Sequence, residues 1–391
     1  MQHAVHATNV FHYDHVALAL WESGYATSVM TRFEVDPAVI RRLDRSPLVG
    51  HKIAALAQRR QAPSLSEDID RYWGSWTSLL YPLAARSHWG ALSPPVVRAV
   101  GLREGAKAAR LAQSSTLYHF IEGLGARAIT GNRAPRYTVC ERRNVHYKTL
   151  EQDLEIAGDF PFGGPERNPL TDVFDTEYEL ASRILVYSQA ARQSFVQRGI
   201  DPSRVKSIPL PFVPRPNVSS RVQRDPFLFS YVGRSDAYKG IDVAVEAVAR
   251  LGPPFRLDIA GPLSRAVQDW LTTKKHVRYL GILHAQELDL LYARCRALLM
   301  PSIESFGLAV LEAASQGAKV VCRETTGARE YLYPNQYVEV CGRSVDTWSE
   351  VLAAIATQED QEQSSILSDR LDRRNVVREL CNLYASLEDS V

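Results

Sequence analysis

Sulfur is scarce in this chain. Five cysteines and three methionines occur among 391 residues, and no two cysteines form a CxxC pair. Cys140, Cys295, Cys322, Cys341 and Cys381 are odd in number and widely spaced. That pattern suits reduced thiols in a cytoplasmic protein, not a disulfide framework. Long apolar runs are missing too, so the roughly 18 residues of a spanning helix are not met. The opening MQHAVHATNVFHYDH lacks a charged stretch followed by an apolar one, and no secretory signal is expected. No internal repeat or low-complexity tract is visible.

What is there suits two domains, each able to bury its own core. Hydrophobic residues make up 45% and charged residues 23%, ordinary for a globular protein. The net charge of +2 is unevenly spread: residues 1–222 carry 27 Lys+Arg against 21 Asp+Glu, and the remainder 19 against 23. A basic first half matches an anionic acceptor or membrane surface; chance is the plainer reading.

The second half alternates apolar, β-rich runs with helical patterns. FLFSYVG (227–233), FRLDIAG (255–261), VRYLG (277–281), ALLMPS (297–302), KVVC (319–322) and QYVEV are followed in turn by GIDVAVEAVARLG, LSRAVQDWLTT, AQELDLLYARC, the stretch after Pro301, TGAREYL and SVDTWSEVLAAIA. Runs this apolar, separated by helices, predict a doubly wound parallel sheet. Its ligands belong outside the carboxyl ends of the strands. The first half is less regular. AVHATNV, ATSVMT, STLYHFI and RYTVCER read as strands, VALALWESG, AVIRRLD and VRAVGLREGAKAARLAQ as helices, and TEYELASRILVYSQAARQSFVQRG as helix–strand–helix. The Pro-rich segment 208–226 reads as an interdomain linker.

Two stretches carry candidate chemistry. In PSIESFGLAVLEAASQG (301–317), Gly307 and Gly317 mark the start and stop of a helix. Glu312 then lies about 7.5 Å along the axis, on the face of Leu308, and Glu304 lies in the preceding loop. The amides of Phe306, Gly307 and Leu308 would form an anion site, and carboxylates accept well from vicinal hydroxyls. The plain alternative is a helix-end charge and a solvated glutamate. In YVGRSDAYKGIDVAVEA (231–247), Arg234 and Lys239 stand on a strand–helix loop where two cations would neutralise a diphosphate. It is neither a GxGxxG loop nor a Walker A loop, because Lys239 precedes Gly240 and no Ser or Thr follows the lysine. A solvated charged loop is the alternative.

Together, VGRSDAYKGIDVAVEA, FRLDIAG, VRYLGILHAQELDLLYARCRALLMPS and ESFGLAVLEAASQGAKVV resemble the family 4 glycosyltransferases of the GT-B fold. The E-x7-E spacing of Glu304 and Glu312 is the most specific element, and the resemblance spans residues 228–330. It implies an α/β GT-B protein of two Rossmann-like doubly wound domains facing across a cleft: residues 1–210 for the acceptor, a linker at 211–226, residues 227–370 for the nucleotide sugar, and a C-terminal helix in 371–391 packing back on the first domain.

The resemblance also implies retaining transfer from a UDP-, GDP- or ADP-type sugar to a saccharide or lipid-linked acceptor, in polysaccharide or glycoconjugate biosynthesis. No cofactor or divalent metal is required and no nucleic acid is involved. Donor contacts fall on Gly233, Arg234, Lys239, the backbone at Ile282 and Leu283, Glu304 with Phe306, Gly307 and Leu308, and Glu312 for the ribose. Glu304, Arg234, Lys239 and His146 are carried over as catalytic, with His119, Glu122 and His146 on the acceptor side and His119 and Glu122 at a strand end facing the cleft. His146 comes from RYTVCERRNVHYKTLEQDLEIAG (136–158), which looks like an ER…H…EE…G stretch of some bacterial members.

The family's glycine-rich loop after the first strand is missing from TNVFHYDHVALAL; either a residue such as Phe11 or His12 closes that side, or the acceptor approaches differently. His12, Asp14 and His15 are read as a surface cluster without a metal. The expected location is cytoplasmic, peripheral to the inner membrane where the acceptor is lipid-linked. The alternatives are a catalytically silent GT-B nucleotide-sugar-binding protein, a nucleotide-sugar epimerase, or a phosphorylase, for which no pyridoxal lysine can be placed.

Overall fold

The computed structural model describes residues 2–8, 14–31, 69–73, 93–157, 168–219, 222–358 and 367–388. These residues form two sheets, each with every strand pair parallel. The first contains β1 (His3–Thr8), β2 (Ala26–Thr31), β3 (Asp70–Trp73), β4 (Leu117–Ile121), β5 (Tyr137–Glu141), β6 (Arg183–Val186) and β7 (Val205–Ser207), in the order β3-β2-β1-β4-β5-β6-β7. The second contains β8 (Asp225–Val232), β9 (Arg256–Ala260), β10 (Val277–Tyr279), β11 (Cys295–Met300), β12 (Lys319–Arg323) and β13 (Tyr337–Val340), in the order β10-β9-β8-β11-β12-β13. In each sheet the order reverses once, between β1 and β4 and between β8 and β11. In open parallel sheets, ligands bind outside the carboxyl ends of the strands at such a reversal.

Local sequence explains most of these elements. The six residues of β11, CRALLM, are all buried, as expected of a central strand covered on both faces. Helix Ile241–Leu251 buries Ile241, Val243, Ala244, Val245, Ala247 and Val248, because it lies between the sheet and helix Val345–Thr357. Ser188 caps helix Gln189–Val196, its hydroxyl accepting from the amide of Ala191 at 3.0 Å.

Some elements were not legible in sequence. β3 (DRYW) and β7 (VKS) are short edge strands without an apolar alternation. Helix Tyr147–Ala157 is half polar on its outer face. TGAREYL forms a 3₁₀ turn at Gly327–Tyr331 instead of a helix. AVIRRLD, Phe11 and His12 lie outside the described residues. His15 is buried, contrary to a surface cluster, and Asp14 beside it pairs with Arg373 at 3.0 Å.

Helix Arg373–Glu388 packs on the first sheet: Val376, Leu380, Leu383, Tyr384 and Leu387 join Val16, Leu20, Leu117, Val139 and Leu185 in one buried cluster. Polar contacts join the two sheet units where their strand ends face each other. Glu330 accepts from the amides of Gln189 and Ala190, both at 2.9 Å. Asp153 meets Arg323 at 2.6 Å and Arg343 at 3.6 Å. The Ser305 hydroxyl donates to the carbonyl of Arg143 at 2.5 Å. Among the described residues no helix is long and apolar enough to cross a membrane.

Candidate functional site

The β8 and β11 loops meet at the reversal point of the second sheet. The loop after β8 bears Gly233, Arg234 and a 3₁₀ turn over Ala237–Lys239. The loop after β11 bears Glu304. Ile303 donates its amide to the carbonyl of Tyr238 at 3.2 Å, which ties the loops together. Gly240 lets them approach: its φ is 69°, and a Cβ there would stand 2.6 Å from the carbonyl oxygen of Pro301.

The Lys239 ammonium donates to the Glu304 carboxylate, and both are largely buried. Burial works against the Lys239 charge, but Glu304 and Tyr238 outweigh it and hold the pKa above the ordinary lysine value. Arg234 is more open. Its guanidinium donates to the Tyr238 hydroxyl at 2.8 Å and pairs with Asp236 at 2.9 Å. The buried Tyr231 hydroxyl donates to the carbonyl of Arg234 at 3.0 Å and so braces the loop from beneath.

Glu304 leads into helix Leu308–Ser315, whose N-cap is Gly307 with φ 99° and no side-chain cap. An uncapped helix N-terminus leaves its first N–H groups to a ligand. The Phe306 ring is buried against Tyr187 and Tyr331, so only its backbone is available. Leu308 packs at the edge of that same core. Glu312 lies on the helix with its carboxylate meeting Arg215 and Tyr292. Across the sheet, Gly261 packs on Gly233 and accepts no side chain there, since a Cβ would lie 2.1 Å from the Gly233 carbonyl oxygen. The amide of Gly261 donates to the carbonyl of Gly281 at 2.8 Å. The residues that follow, Ile282 and Leu283, are exposed and half-buried. Arg234, Lys239 and Glu304 therefore share one end, and Glu312 stands further along the helix.

The first-domain candidates are placed differently. His119 is in the middle of β4, completely buried, and does not face the cleft. Its Nδ1 meets the Tyr384 hydroxyl of the C-terminal helix at 2.9 Å and its Nε2 the Glu141 carboxylate at 3.2 Å. The alternation of side chains along a strand turned it to that face. Glu122 follows β4 directly, but its carboxylate accepts from Arg142 and from the Tyr178 hydroxyl. His146 is packed among the rings of Tyr147, Tyr178 and Phe195, at centroid distances of 5.0 to 5.2 Å. Its Nδ1 accepts from the amide of Lys148 at 3.2 Å. Burial, with Arg142, Lys148 and Arg198 nearby, lowers its pKa to about 4. The buried ring borders a recess with Arg198 and Asp201, and none of its hydrogen bonds or ring contacts reaches Glu304 or Lys239.

Several participants were invisible in the sequence. Glu177 is buried and its carboxylate accepts the amides of Gly123, Gly125 and Ala126 at 2.6 to 3.0 Å. A loop that resembles an anion nest is thus filled by the protein's own carboxylate. Arg143 reaches from the end of β5 to the Thr8 hydroxyl, donating at 3.0 Å. Among the described residues no group of three or more His, Cys, Asp or Glu is arranged to hold a metal ion.

Comparison with known proteins locates the same region. Residues 217–370 match the family model described as glycosyl transferases group 1. Solved neighbours extend the likeness over both sheets. Anabaena HepE in complex with UDP and glucose superposes with a TM-score of 0.56 at 15% identity, covering 100% of both chains. The lipopolysaccharide outer core galactosyltransferase WaaB superposes with a TM-score of 0.61 at 15% identity over 99% of each chain. The fold is GT-B. Among curated proteins, glycogen synthase of Mycobacterium tuberculosis is 34% identical over 157 residues, 37% of this chain and 35% of that protein. D-inositol 3-phosphate glycosyltransferase of Corynebacterium urealyticum is 28% identical over 182 residues, 41% and 43% of the two chains. The matched stretch thus spans well under half the length of these curated relatives. Within the GT-B frame the β8 and β11 loops lie in the second of the two facing units.

Proposed function

We propose that this GT-B protein is a retaining glycosyltransferase of the family 4 type. It moves a sugar from a nucleotide-sugar donor to a saccharide or lipid-linked acceptor in glycoconjugate biosynthesis. One observation carries this reading: the group 1 glycosyl transferase match covers the residues that gather Lys239, Glu304, the uncapped Gly307 helix and Glu312 at the reversal point of the second sheet.

In this reading the diphosphate lies against Arg234, Lys239 and the amides from Phe306 to Leu308. The donor sugar lies at Glu304, the ribose at Glu312, and the base near the backbone of Ile282 and Leu283. The bond between the anomeric carbon and the diphosphate oxygen breaks, and the electron pair leaves with the phosphate. The acceptor hydroxyl oxygen bonds to that carbon on the same face and passes its proton to the departing diphosphate oxygen. Positioning and neutralisation of the departing charge supply the rate, and the two cations and helix amides do so without a divalent ion. His146 receives no proton-transfer role, because its ring is held in the aromatic cage, and His119 none, because it faces the C-terminal helix. Glu122 with Arg142 remains on the acceptor side as a bound pair.

The test is nucleotide release. UDP-, GDP- and ADP-sugars are supplied with and without acceptors, and with a chelator, starting with UDP, the nucleotide in the Anabaena neighbour. Acceptor-dependent release with the anomeric configuration kept supports the proposal. A thermal shift with nucleotide sugars but no release with any acceptor would instead indicate a silent binding protein.

A further inference from the structure

The carboxylate of Glu312 is held from two sides without any ligand. Arg215 Nη1 donates to its Oε1 at 3.3 Å, and the buried Tyr292 hydroxyl donates to its Oε2 at 3.2 Å. Arg215 is itself anchored. Its Nε and Nη2 donate to the buried Asp289 at 2.7 to 2.9 Å, and these carboxylates raise its pKa further. The surrounding connection is fastened to the same helix: Asn217 donates to the carbonyl of Ser315 at 3.0 Å, and the amide of Val218 to the Gln316 side chain at 2.9 Å.

This geometry does more than brace a linker. A carboxylate oxygen has two acceptor directions, so one protein donor on each oxygen of Glu312 leaves one direction on each for an incoming ligand. Two adjacent acceptor directions on one fixed carboxylate match a vicinal diol. The guanidinium suits the task because its planar fork can engage Asp289 with one edge and still extend Nη1 to Glu312. A lysine has no such fork.

We propose that Arg215, held by Asp289, is a positioning residue that with Tyr292 locks the Glu312 carboxylate for the vicinal hydroxyls of the donor ribose. The proposal rests on the donor reading given above. It also makes the connection between the two sheets part of nucleoside recognition, since Arg215 stands between β7 and β8.

The test separates orientation from stability by deleting the diol from the ligand. Whichever of UDP, GDP and ADP gives the largest thermal shift is titrated by calorimetry beside its 2′,3′-dideoxy counterpart. The variants are Tyr292→Phe, which removes one hydroxyl, and the double variant Arg215→Met with Asp289→Asn, which removes the guanidinium and its buried carboxylate partner together. Each should weaken the ribonucleotide about three- to tenfold and leave the dideoxynucleotide unchanged. Equal weakening of both ligands makes the cluster a structural brace and overturns the proposal, as does no weakening of either. A wild type that binds both ligands equally removes the ribose from Glu312 and overturns it too, while transfer activity stays measurable. A wild type that binds none of the three nucleotides overturns the donor reading itself.

Discussion

Removing Lys239 and Glu304 one at a time and then together should separate fold stability from ligand binding. The two side chains form a pair that is only 14% and 21% exposed. Lys239→Met leaves a largely buried carboxylate without its partner, and Glu304→Gln leaves a largely buried ammonium likewise. Each loss should destabilise by about 1–3 kcal/mol. The double variant removes both charges, so it should be about 1–2 kcal/mol more stable than the sum of the singles predicts. Binding should follow another rule. Lys239→Met removes a charge-assisted contact to the diphosphate, at about 1.5–3 kcal/mol, or about ten- to a hundredfold in Kd. Glu304→Gln should leave nucleoside diphosphate affinity near wild type while cutting turnover of the full donor. The double variant then regains stability but not affinity. Urea unfolding at constant m-value and calorimetry with UDP or GDP read the two quantities. Additive stabilities would show that the pair does not interact. Wild-type affinity in Lys239→Met would remove the diphosphate from this loop.

Gly240→Ala should destabilise by about 1–3 kcal/mol and weaken nucleotide binding, because its Cβ would push the β8 and β11 loops apart. Gly342→Ala has a similar φ of 71° with nothing within 4 Å, so it should cost less and leave binding intact; equal losses would disprove the steric argument. His146, with a folded pKa of about 4 against an unfolded value of about 6.5, binds more protons when unfolded. Stability should therefore fall as pH drops from about 6.5 toward 4, and His146→Asn should flatten that limb by about 2–3 kcal/mol; an unchanged slope in urea unfolding against pH would refute it. Exposed Arg103, Arg110, Arg127, Arg133 and Arg136 on the first unit should retain the protein on anionic liposomes at low salt and release it at high salt. Absence of retention in a sedimentation assay would favour an acceptor in free solution.

Local pattern determined much of the second unit. Runs such as CRALLM and KVVC are apolar without alternation because both faces of a central parallel strand are covered, and that signal survives in a single sequence. The loop and helix carrying Lys239, Glu304 and Glu312 were legible for the same reason: each stands at a strand end, marked by glycine and spacing. The first unit was harder to read, because short edge strands such as VKS and half-polar helices such as Tyr147–Ala157 owe their form to neighbours. Only the tertiary structure decided which way side chains point. His119 sits in the middle of β4 and not at its carboxyl end, where a ligand would lie, and its sheet face turns it to Tyr384 of the C-terminal helix. His146 became a caged, neutral ring because Tyr178 and Phe195, 32 and 49 positions later, close around it. Arg215 reaches Asp289 and Glu312 across 74 and 97 residues of chain. Spacing in sequence carries helix and strand periods, whereas contacts between distant elements depend on how the sheets bring them together.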